Sequence, residues 1–245
     1  MLNCKDGMCE ATPHQKQEGV PRAFTERGRR IIYVNDPMCS WCYGISEIVT
    51  GLQAYCDKKG IGFEMMVGGL RSGGPESWSA AQRQYLREVW SRITRVTEQS
   101  FNFKILDLEY FDYDTTPSCR AIVVAKKLLP ADNGRSLVQF LHELQKKFYL
   151  RGEDPKEVDF YRSICEQFKI DFEQFTTLFL SDEIKEETLR EFNWCAAHDA
   201  TLFPTFLWID GGDIRRLASG YTSLDRLVRR IPLVEAEERG AEIIP

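Results

Sequence analysis

The chain has 245 residues, of which 43% are hydrophobic and 28% charged, and its formal net charge is -5. This length excludes a small disulfide-stapled scaffold and allows one large domain, or a domain with an insertion, to bury a substantial core. The intermixed acidic and basic residues argue against a nucleic-acid or membrane partner, and the longest apolar stretches are far too short to span a bilayer.

Residues 1–29 are polar and show no hydrophobic periodicity, so they are predicted to form an N-terminal arm, either a tail or a loosely docked segment. The arm contains no apolar run of a secretory signal, which favours a cytoplasmic location. Cys4 and Cys9 are separated by four residues, and His14 follows five residues later. Two interpretations stay open: an accessory redox pair or metal-binding arm at Cys4 and Cys9, or a tail without function.

A strand, a helix and a second strand are predicted next. The apolar run at 31–34 indicates a strand over about 30–35, and three-and-four spacing of apolar residues predicts a helix that ends near residue 57. Residues 61–67 then alternate as a second strand, which ends at two glycines. Together these elements predict a β-α-β unit.

Cys39, Ser40, Trp41 and Cys42 form a CxxC motif between the first strand and the helix. The unpaired N–H groups and the dipole of a helix N-terminus stabilise a thiolate, so Cys39 is predicted to ionise readily and to attack substrates. Cys42, one turn into the helix, is predicted to be covered and to resolve the mixed disulfide. The motif therefore predicts dithiol redox chemistry with Cys39 and Cys42 as the catalytic residues.

A CxxC motif also begins many zinc sites, which need a second pair of ligands. The chain contains no other CxxC, and its three histidines, at 14, 142 and 198, are not grouped at ligand spacing around the motif. Redox chemistry is accordingly favoured over metal binding, and no metal site is predicted.

Four further cysteines fall within helix-periodic segments and are expected to pack as small apolar groups: Cys56, Cys119, Cys165 and Cys195. Cys195 and His198 also have the i, i+3 spacing of a ligand pair on a helix. A packed cysteine beside a hydrogen-bonded histidine is the favoured interpretation.

From residue 75 to about 200 the apolar spacing is helical. Trp78 lies at the start of one long predicted helix, Thr116 is predicted to cap another, and Asp154 followed by Pro155 is predicted to start a third. The acidic and aromatic run at 107–114 either lines a peptide-binding surface or, as is more usual, connects two helices with its aromatic side chains in the core.

Strand character returns at 205–209, and the turn sequence at 210–213 predicts a hairpin into a strand over 214–218. A last helix is predicted to begin at Thr222, with Asp225 as its capping partner. The complete order is β-α-β, a helical block, then β-β-α, which predicts an α/β protein.

This order, with CxxC at the first strand–helix junction and Phe203-Pro204-Thr205 before a later strand, resembles the thioredoxin fold. With its helical block, the chain resembles the DsbA family, and within it the FrnE-like branch without a signal sequence. The matching segments are 36–44, 117–121, 149–154 and 203–206. The resemblance implies a thioredoxin-like domain whose β-α-β and β-β-α halves, at 30–72 and 200–235, flank a large inserted all-helical domain at 73–199, with a C-terminal tail at 236–245.

The resemblance also implies a function, that of a bacterial, cytoplasmic protein disulfide oxidoreductase or isomerase. Its partners would be thiol- or disulfide-containing protein substrates or small thiols. No organic cofactor is implied, and glutathione is a candidate thiol reductant.

By the same resemblance, Pro204 is cis and lies beside the CxxC, where Phe203 presents its backbone to an incoming peptide. Trp41 and Thr205 complete the implied substrate-binding set. The strongly oxidising DsbA pattern has histidine before the second cysteine. Trp41 cannot supply an imidazolium interaction to the thiolate, so a less oxidising potential is expected.

The same scaffold is compatible with two other functions. Glutathione-dependent isomerases and kappa-type transferases share the inserted helical domain but use a serine nucleophile, and the presence of both Cys39 and Cys42 argues against them. A non-enzymatic, redox-sensitive adaptor could use the same scaffold to bind a partner protein. The sequence leaves the physiological substrate, the direction of electron flow and the oligomeric state open.

Overall fold

The computed structural model describes residues 4–5, 7–11, 28–73 and 78–231. The strands within these ranges are β1 (Cys4–Lys5), β2 (Met8–Glu10), β3 (Arg30–Asn35), β4 (Gly62–Val67), β5 (Leu202–Phe203), β6 (Thr205–Asp210) and β7 (Asp213–Ser219). The predicted C-terminal tail at 236–245, and His14, lie outside the described residues.

Helices α1 (Ser40–Gly44) and α2 (Ser46–Lys59) connect β3 to β4. The long segment between β4 and β5 holds α3 (Ala80–Thr97), α4 (Lys104–Asp107), α5 (Thr116–Leu128), α6 (Arg135–Lys146), α7 (Arg162–Phe168), α8 (Phe172–Leu180) and α9 (Asp182–Ala197). A π-helical turn, Lys147–Arg151, extends α6, and a 3-10 turn, Val158–Tyr161, leads into α7. Helix α10 covers 224–231.

The main sheet has the strand order β4-β3-β6-β7, with β4 parallel to β3 and the other two pairings antiparallel. All six residues of β3 are buried, as expected for a central strand covered on both faces. A parallel pair needs a crossover connection, which α1 and α2 provide. With α10 after β7, this is the thioredoxin fold with helices inserted between its halves, as the sequence predicts.

The sheet separates two hydrophobic cores. Ile31 and Tyr33 point into a core shared with α2, α5 to α10 and β7, whereas Ile32 and Val34 point into a second core that contains both cysteines of the CxxC motif. This alternation follows from the two-residue period of a strand. The second core also receives α3 and the aromatic residues of the connection at 107–114, so the helical insert packs around the motif.

The N-terminal segment differs from the predicted tail or loosely docked arm. Its described residues form a β1–β2 hairpin, and β2 pairs antiparallel with β5. Cys4 and Cys9 are buried and joined by a disulfide. The strands are too short to show alternation, and their pairing partner comes almost at the other end of the chain, so periodicity could not reveal the docking.

Two predicted helix starts are displaced by one or two residues, and a third is wrong. Thr116 is the first residue of α5 rather than its cap, which is Thr115. The prediction of a helix starting at Asp154 is wrong, because the Asp154 carboxylate binds the amide and the ammonium of Lys156 in a turn. The last helix begins after Ser223, whose side chain accepts from the amide of Arg226.

The long predicted helix starting near Trp78 is α3, which begins only at residue 80 because Ser79 caps it by accepting from Gln82. In the connection at 107–114, Phe111 and Tyr113 are buried whereas Tyr110 is exposed. The two buried rings support the interpretation of this run as a connection between helices with its aromatic side chains in the core. None of the described helices combines the length and apolarity needed to cross a membrane.

Candidate active site

The first cysteine of the motif lies where the sequence predicts it, at the N-cap of α1. A tight turn delivers it there: the Cys39 amide donates to the Asp36 carbonyl at 3.0 Å, and the Asp36 carboxylate accepts from Met38 at 2.8 Å and from Leu70 at 2.7 Å. The Leu70 contact ties the turn to the chain that leaves β4. The hydrogen bonds of Asp36 therefore fix the position of Cys39 relative to β3 and β4.

Aromatic side chains of the helical insert pack against α1 and the residue before the motif. Tyr43 of α1 stacks on Tyr149 with ring centroids 4.7 Å apart, and Trp90 meets Tyr149 edge-on at 5.1 Å. The Tyr113 hydroxyl donates to the carbonyl of Met38 at 2.8 Å. Stacked and edge-on pairs of this kind add stability beyond the buried area alone. The insert thus sets the position of the motif.

Cys39 is fully buried, and this changes the predicted ionisation. Burial raises the pKa of the Cys39 thiol well above its usual value, and the neighbouring Cys42 side chain and the Asp36 charge add to the increase. The Cys42 backbone N–H acts in the opposite direction, as expected at a helix N-terminus. The predicted lowering of the pKa is wrong for this covered state, because desolvation outweighs the dipole.

The Phe203–Pro204 pair, at the junction of β5 and β6, lies against Cys39. The Cys39 sulfur is 3.9 Å from the carbonyl oxygen of Phe203, and the Phe203–Pro204 peptide bond is cis, as the resemblance implies. Phe203 also packs tightly on the chain after β4, since a Cβ on Gly68 would lie 2.2 Å from its ring. The CxxC motif and the later strand therefore meet in space.

A small cavity lies behind Cys42, which is itself 1% exposed. It is lined in part by Tyr33, Ser46, His142 and Gln145. Among the described residues, Ser46 Oγ and Gln145 Nε2 have no hydrogen-bond partner, and the Tyr33 hydroxyl lies beside the Cys42 sulfur without the geometry of a full hydrogen bond. Unpaired polar groups around a cavity are the usual setting of an ordered water.

The protonation of two cavity residues follows from their burial. Burial, followed by the two motif cysteines, raises the pKa of Tyr33 well above its usual value, so its hydroxyl stays a donor. Burial, followed by Lys146, lowers the pKa of His142, so its imidazole is neutral at pH 7. Tyr33 and His142 therefore line the cavity beside Cys42 as neutral hydrogen-bonding groups.

The N-terminal hairpin occupies the other side of the site. Cys9 pairs with Phe203, and the amide of Ala11 donates to the carbonyl of Thr201 at 2.7 Å. Cys4, Cys9, Cys39 and Cys42 belong to one buried cluster, in which the first two are disulfide-bonded and the last two are free thiols. The hairpin is therefore docked against the motif, and an accessory redox role for Cys4 and Cys9 stays a prediction.

The remaining residues of the predicted substrate-binding set are covered. Trp41 is 3% exposed, with its ring 6.0 Å from that of Tyr221. The Thr205 hydroxyl donates to the carbonyl of Leu202 at 2.6 Å and also bonds the Ser219 hydroxyl. Trp41 is part of the motif itself, and contact of Trp41 and Thr205 with substrate stays a prediction.

The other cysteines pack within helices. All four are buried free thiols, and burial raises the pKa of Cys56 and of Cys165 to about 12. Cys195 approaches the carbonyl of Val67, whereas His198 bonds the carbonyl of Trp194 and stacks on its ring, so the two do not converge as ligands. Within the described ranges, no three His, Cys, Asp or Glu side chains form a group that could hold a metal.

No protein-family model and no curated protein matches the sequence. Solved structures do. A "putative protein disulfide isomerase" from Nitrosomonas europaea is 25% identical, with a TM-score of 0.75 over 86% of this chain and 99% of its own. The cytosolic disulfide reductase DsbM from Pseudomonas aeruginosa is 21% identical, with a TM-score of 0.66 over 84% of this chain and 99% of its own, and a second structure of it contains GSH.

A more distant neighbour is a 2-hydroxychromene-2-carboxylate isomerase, which is 12% identical with a TM-score of 0.53 over 88% of this chain and 99% of its own. It shares the fold alone. The fold, together with the disulfide-exchange proteins among these neighbours, defines an enzyme of the thiol-disulfide oxidoreductase class. Its structural neighbours include DsbA-family members of the thioredoxin superfamily, which agrees with the resemblance seen in the sequence.

Proposed function

We propose that the protein is a disulfide reductase or isomerase that exchanges disulfides through Cys39 and Cys42. The observation that carries this is the position of Cys39, at the N-cap of α1 and 3.9 Å from the carbonyl of Phe203. A peptide that pairs with the Phe203 backbone would place its own disulfide beside this sulfur. Disulfide-containing proteins are accordingly the proposed substrates.

The exchange proceeds in two steps that conserve sulfur–sulfur bonds. The Cys39 thiolate attacks a substrate disulfide, which forms a mixed disulfide and releases one substrate thiolate. The Cys42 thiolate then attacks Cys39, which closes the Cys39–Cys42 disulfide and releases the second substrate thiolate. Two equivalents of a small thiol such as glutathione restore the dithiol and leave as its disulfide. A cytoplasmic location belongs to the same proposal, by analogy with the cytosolic reductase.

Replacing the resolving thiol tests the proposal directly. Cys42→Ser is expected to accumulate mixed disulfides on Cys39, because the first attack survives and the second is lost. Non-reducing gels of thiol-blocked cell extracts, followed by mass spectrometry, would detect them. The double variant Cys39→Ser, Cys42→Ser is the control and should trap nothing.

The same variants separate the competing functions. A glutathione-dependent isomerase or transferase would keep its activity in Cys42→Ser and trap no protein. An adaptor would bind its partner in the double variant as well as in the wild type. Either result in a correctly folded protein would contradict the proposal.

The cavity behind Cys42 predicts a role for Tyr33 in the second step. A protonated hydroxyl can donate to the Cys42 thiolate that forms there, so Tyr33→Phe is expected to slow resolution by roughly 2- to 10-fold, the value of one hydrogen bond of about 0.5–1.5 kcal/mol. The measurement is the lifetime of a mixed disulfide between the protein and glutathione, by quenched mass spectrometry. Tyr43→Phe, which removes a buried hydroxyl elsewhere, is the control. Equal lifetimes in the two variants would exclude the role.

A further inference from the structure

The hairpin stands where a peptide substrate would pair in the proposed function. Strand β2 adds antiparallel to β5 with Cys9 directly opposite Phe203, the residue whose carbonyl lies 3.9 Å from the Cys39 sulfur. Addition of a strand to an exposed edge is a common mode of peptide recognition, in which the main chain provides affinity and alternate side chains face the site. Here the added strand carries a disulfide.

Specific contacts hold the hairpin in place. The Tyr85 hydroxyl donates to the carbonyl of Cys4 at 2.7 Å and accepts from the amide of Cys4 at 2.8 Å. At the hairpin turn, the Gly7 carbonyl accepts from the amide of Tyr221 at 2.7 Å. Gly7 has a φ of +84°, and a Cβ there would lie 2.7 Å from the Cβ of Tyr221. Only glycine therefore allows this close approach.

The redox states of the two cysteine pairs are complementary. Cys4 and Cys9 form a disulfide, Cys39 and Cys42 are thiols, and all four lie in one apolar cluster with exposures of 6%, 0%, 0% and 1%. A dissolved thiol or disulfide cannot reach Cys39 while it is covered. The Cys4–Cys9 disulfide, by contrast, already lies in the same cluster as the Cys39 thiol.

We propose, on the basis of the proposed function, that the Cys4–Cys9 disulfide is an intramolecular substrate of the Cys39–Cys42 dithiol. Cys39 attacks the Cys9 sulfur, so that a Cys39–Cys9 bond forms and the Cys4 thiolate leaves. Cys42 then attacks Cys39, which closes the Cys39–Cys42 bond and releases the Cys9 thiolate. Two electrons and two protons pass from one pair to the other, and no external oxidant or reductant is consumed.

The exchange lets either cysteine pair be the reduced one, so the two reducing electrons can reside on the motif or on the hairpin. In the state that the structure shows, the electrons reside on the motif and the hairpin is oxidised. After exchange, the hairpin is a dithiol and the motif is a disulfide. Release of the hairpin from β5 in either state would open the Phe203 backbone to an external peptide.

The test follows both disulfides in the intact protein with time. One sample starts fully reduced and receives one equivalent of oxidised glutathione, and another starts fully oxidised and receives one equivalent of a phosphine reductant. After acid quenching and maleimide alkylation, peptide mapping measures the Cys4–Cys9 and Cys39–Cys42 bonds. The two samples should converge on one distribution, at a rate that stays constant over a tenfold range of protein concentration. Failure to converge, or a rate proportional to concentration, overturns the inference.

A matched pair of glycine variants tests the docking. Gly7→Val should displace the hairpin, slow the exchange at least tenfold and speed alkylation of Cys39, whereas Gly28→Val, whose added side chain meets open space, should behave as the wild type. If Gly7→Val does not fold, Tyr85→Phe replaces it, since it removes both hydrogen bonds to Cys4. Wild-type rates in the folded docking variant would contradict the proposed pairing.

Reduction of insulin by the same wild-type preparation separates this inference from the proposed function. If insulin is reduced and the two pairs do not interconvert, the inference fails and the proposed function stands. If insulin is not reduced under any condition tested, including with the Gly7→Val protein, the proposed function fails as well.

Discussion

Cys39→Ser is expected to lower the reduction of insulin by glutathione to the uncatalysed rate, a loss on the order of 100-fold or more. The reason is geometric: Cys39 is the motif thiol beside the Phe203 carbonyl, whereas Cys42 is buried within α1 and faces the small cavity. A serine hydroxyl is not ionised near neutral pH and cannot form a mixed disulfide. The turbidity assay for reduced insulin measures the rate.

Cys165→Ser is the matched control, because Cys165 is another buried thiol but lies on α7 in the core on the opposite side of the sheet. It should retain wild-type activity. Circular dichroism checks that both variants are folded. Full activity of folded Cys39→Ser would show that the motif is a remnant on a scaffold used for another purpose.

Glu191→Ala is expected to destabilise the protein by about 3 kcal/mol, as removal of one partner from a buried ion pair does. The Glu191 carboxylate binds the ammonium of Lys126 at 2.6 and 2.7 Å and accepts from the amide of Val67 at 2.9 Å. This value is the lower end of the usual cost of breaking a buried ion pair, because the Lys126 side chain is still 23% exposed. Urea unfolding followed by circular dichroism gives the difference in free energy.

Glu183→Ala is the control on the same helix. Glu183 is exposed and lies 3.6 Å from Lys127. Glu183→Ala should therefore change the free energy of unfolding by less than the error of the measurement. Similar losses in the two variants would mean that helix propensity, rather than the link between α9 and β4, determines the effect. Because β4 leads into the Leu70 contact of Asp36, Glu191→Ala should also loosen the motif.

The parts of the site that sequence could predict depend on local chemistry. The strand at 30–35, the helix after it and the CxxC between them occur in the order and spacing that periodicity and capping describe. Thr115, Ser223 and the turn at Asp154 show the limit of the same rules, since a residue next to the predicted one precedes α5 and α10, and Asp154 caps a turn instead of a helix. Local patterns thus located the elements better than their ends.

The parts that sequence could not predict depend on distant residues. Cys9 finds its strand partner at Phe203, and Gly7 finds Tyr221, both from the far end of the chain. One local signal existed, because Asp6-Gly7 between two cysteines is a two-residue hairpin sequence. The ionisation of Cys39 was mispredicted for the same reason: the helix terminus is local, whereas the burial that dominates comes from the packed structure.

The pairing of β3 with β6 has a consequence for synthesis of the chain. On the ribosome, β3, α2 and β4 emerge early, but β3 must wait for the whole helical insert before β6 arrives to pair with it. Contacts between such distant segments form late and slowly. All four cysteines of the hairpin and the motif precede Phe203, so the nascent chain exposes them before the strand that orders them exists. An oxidising compartment would let these thiols pair at random during that interval, whereas a reducing one would keep them free until the sheet closes.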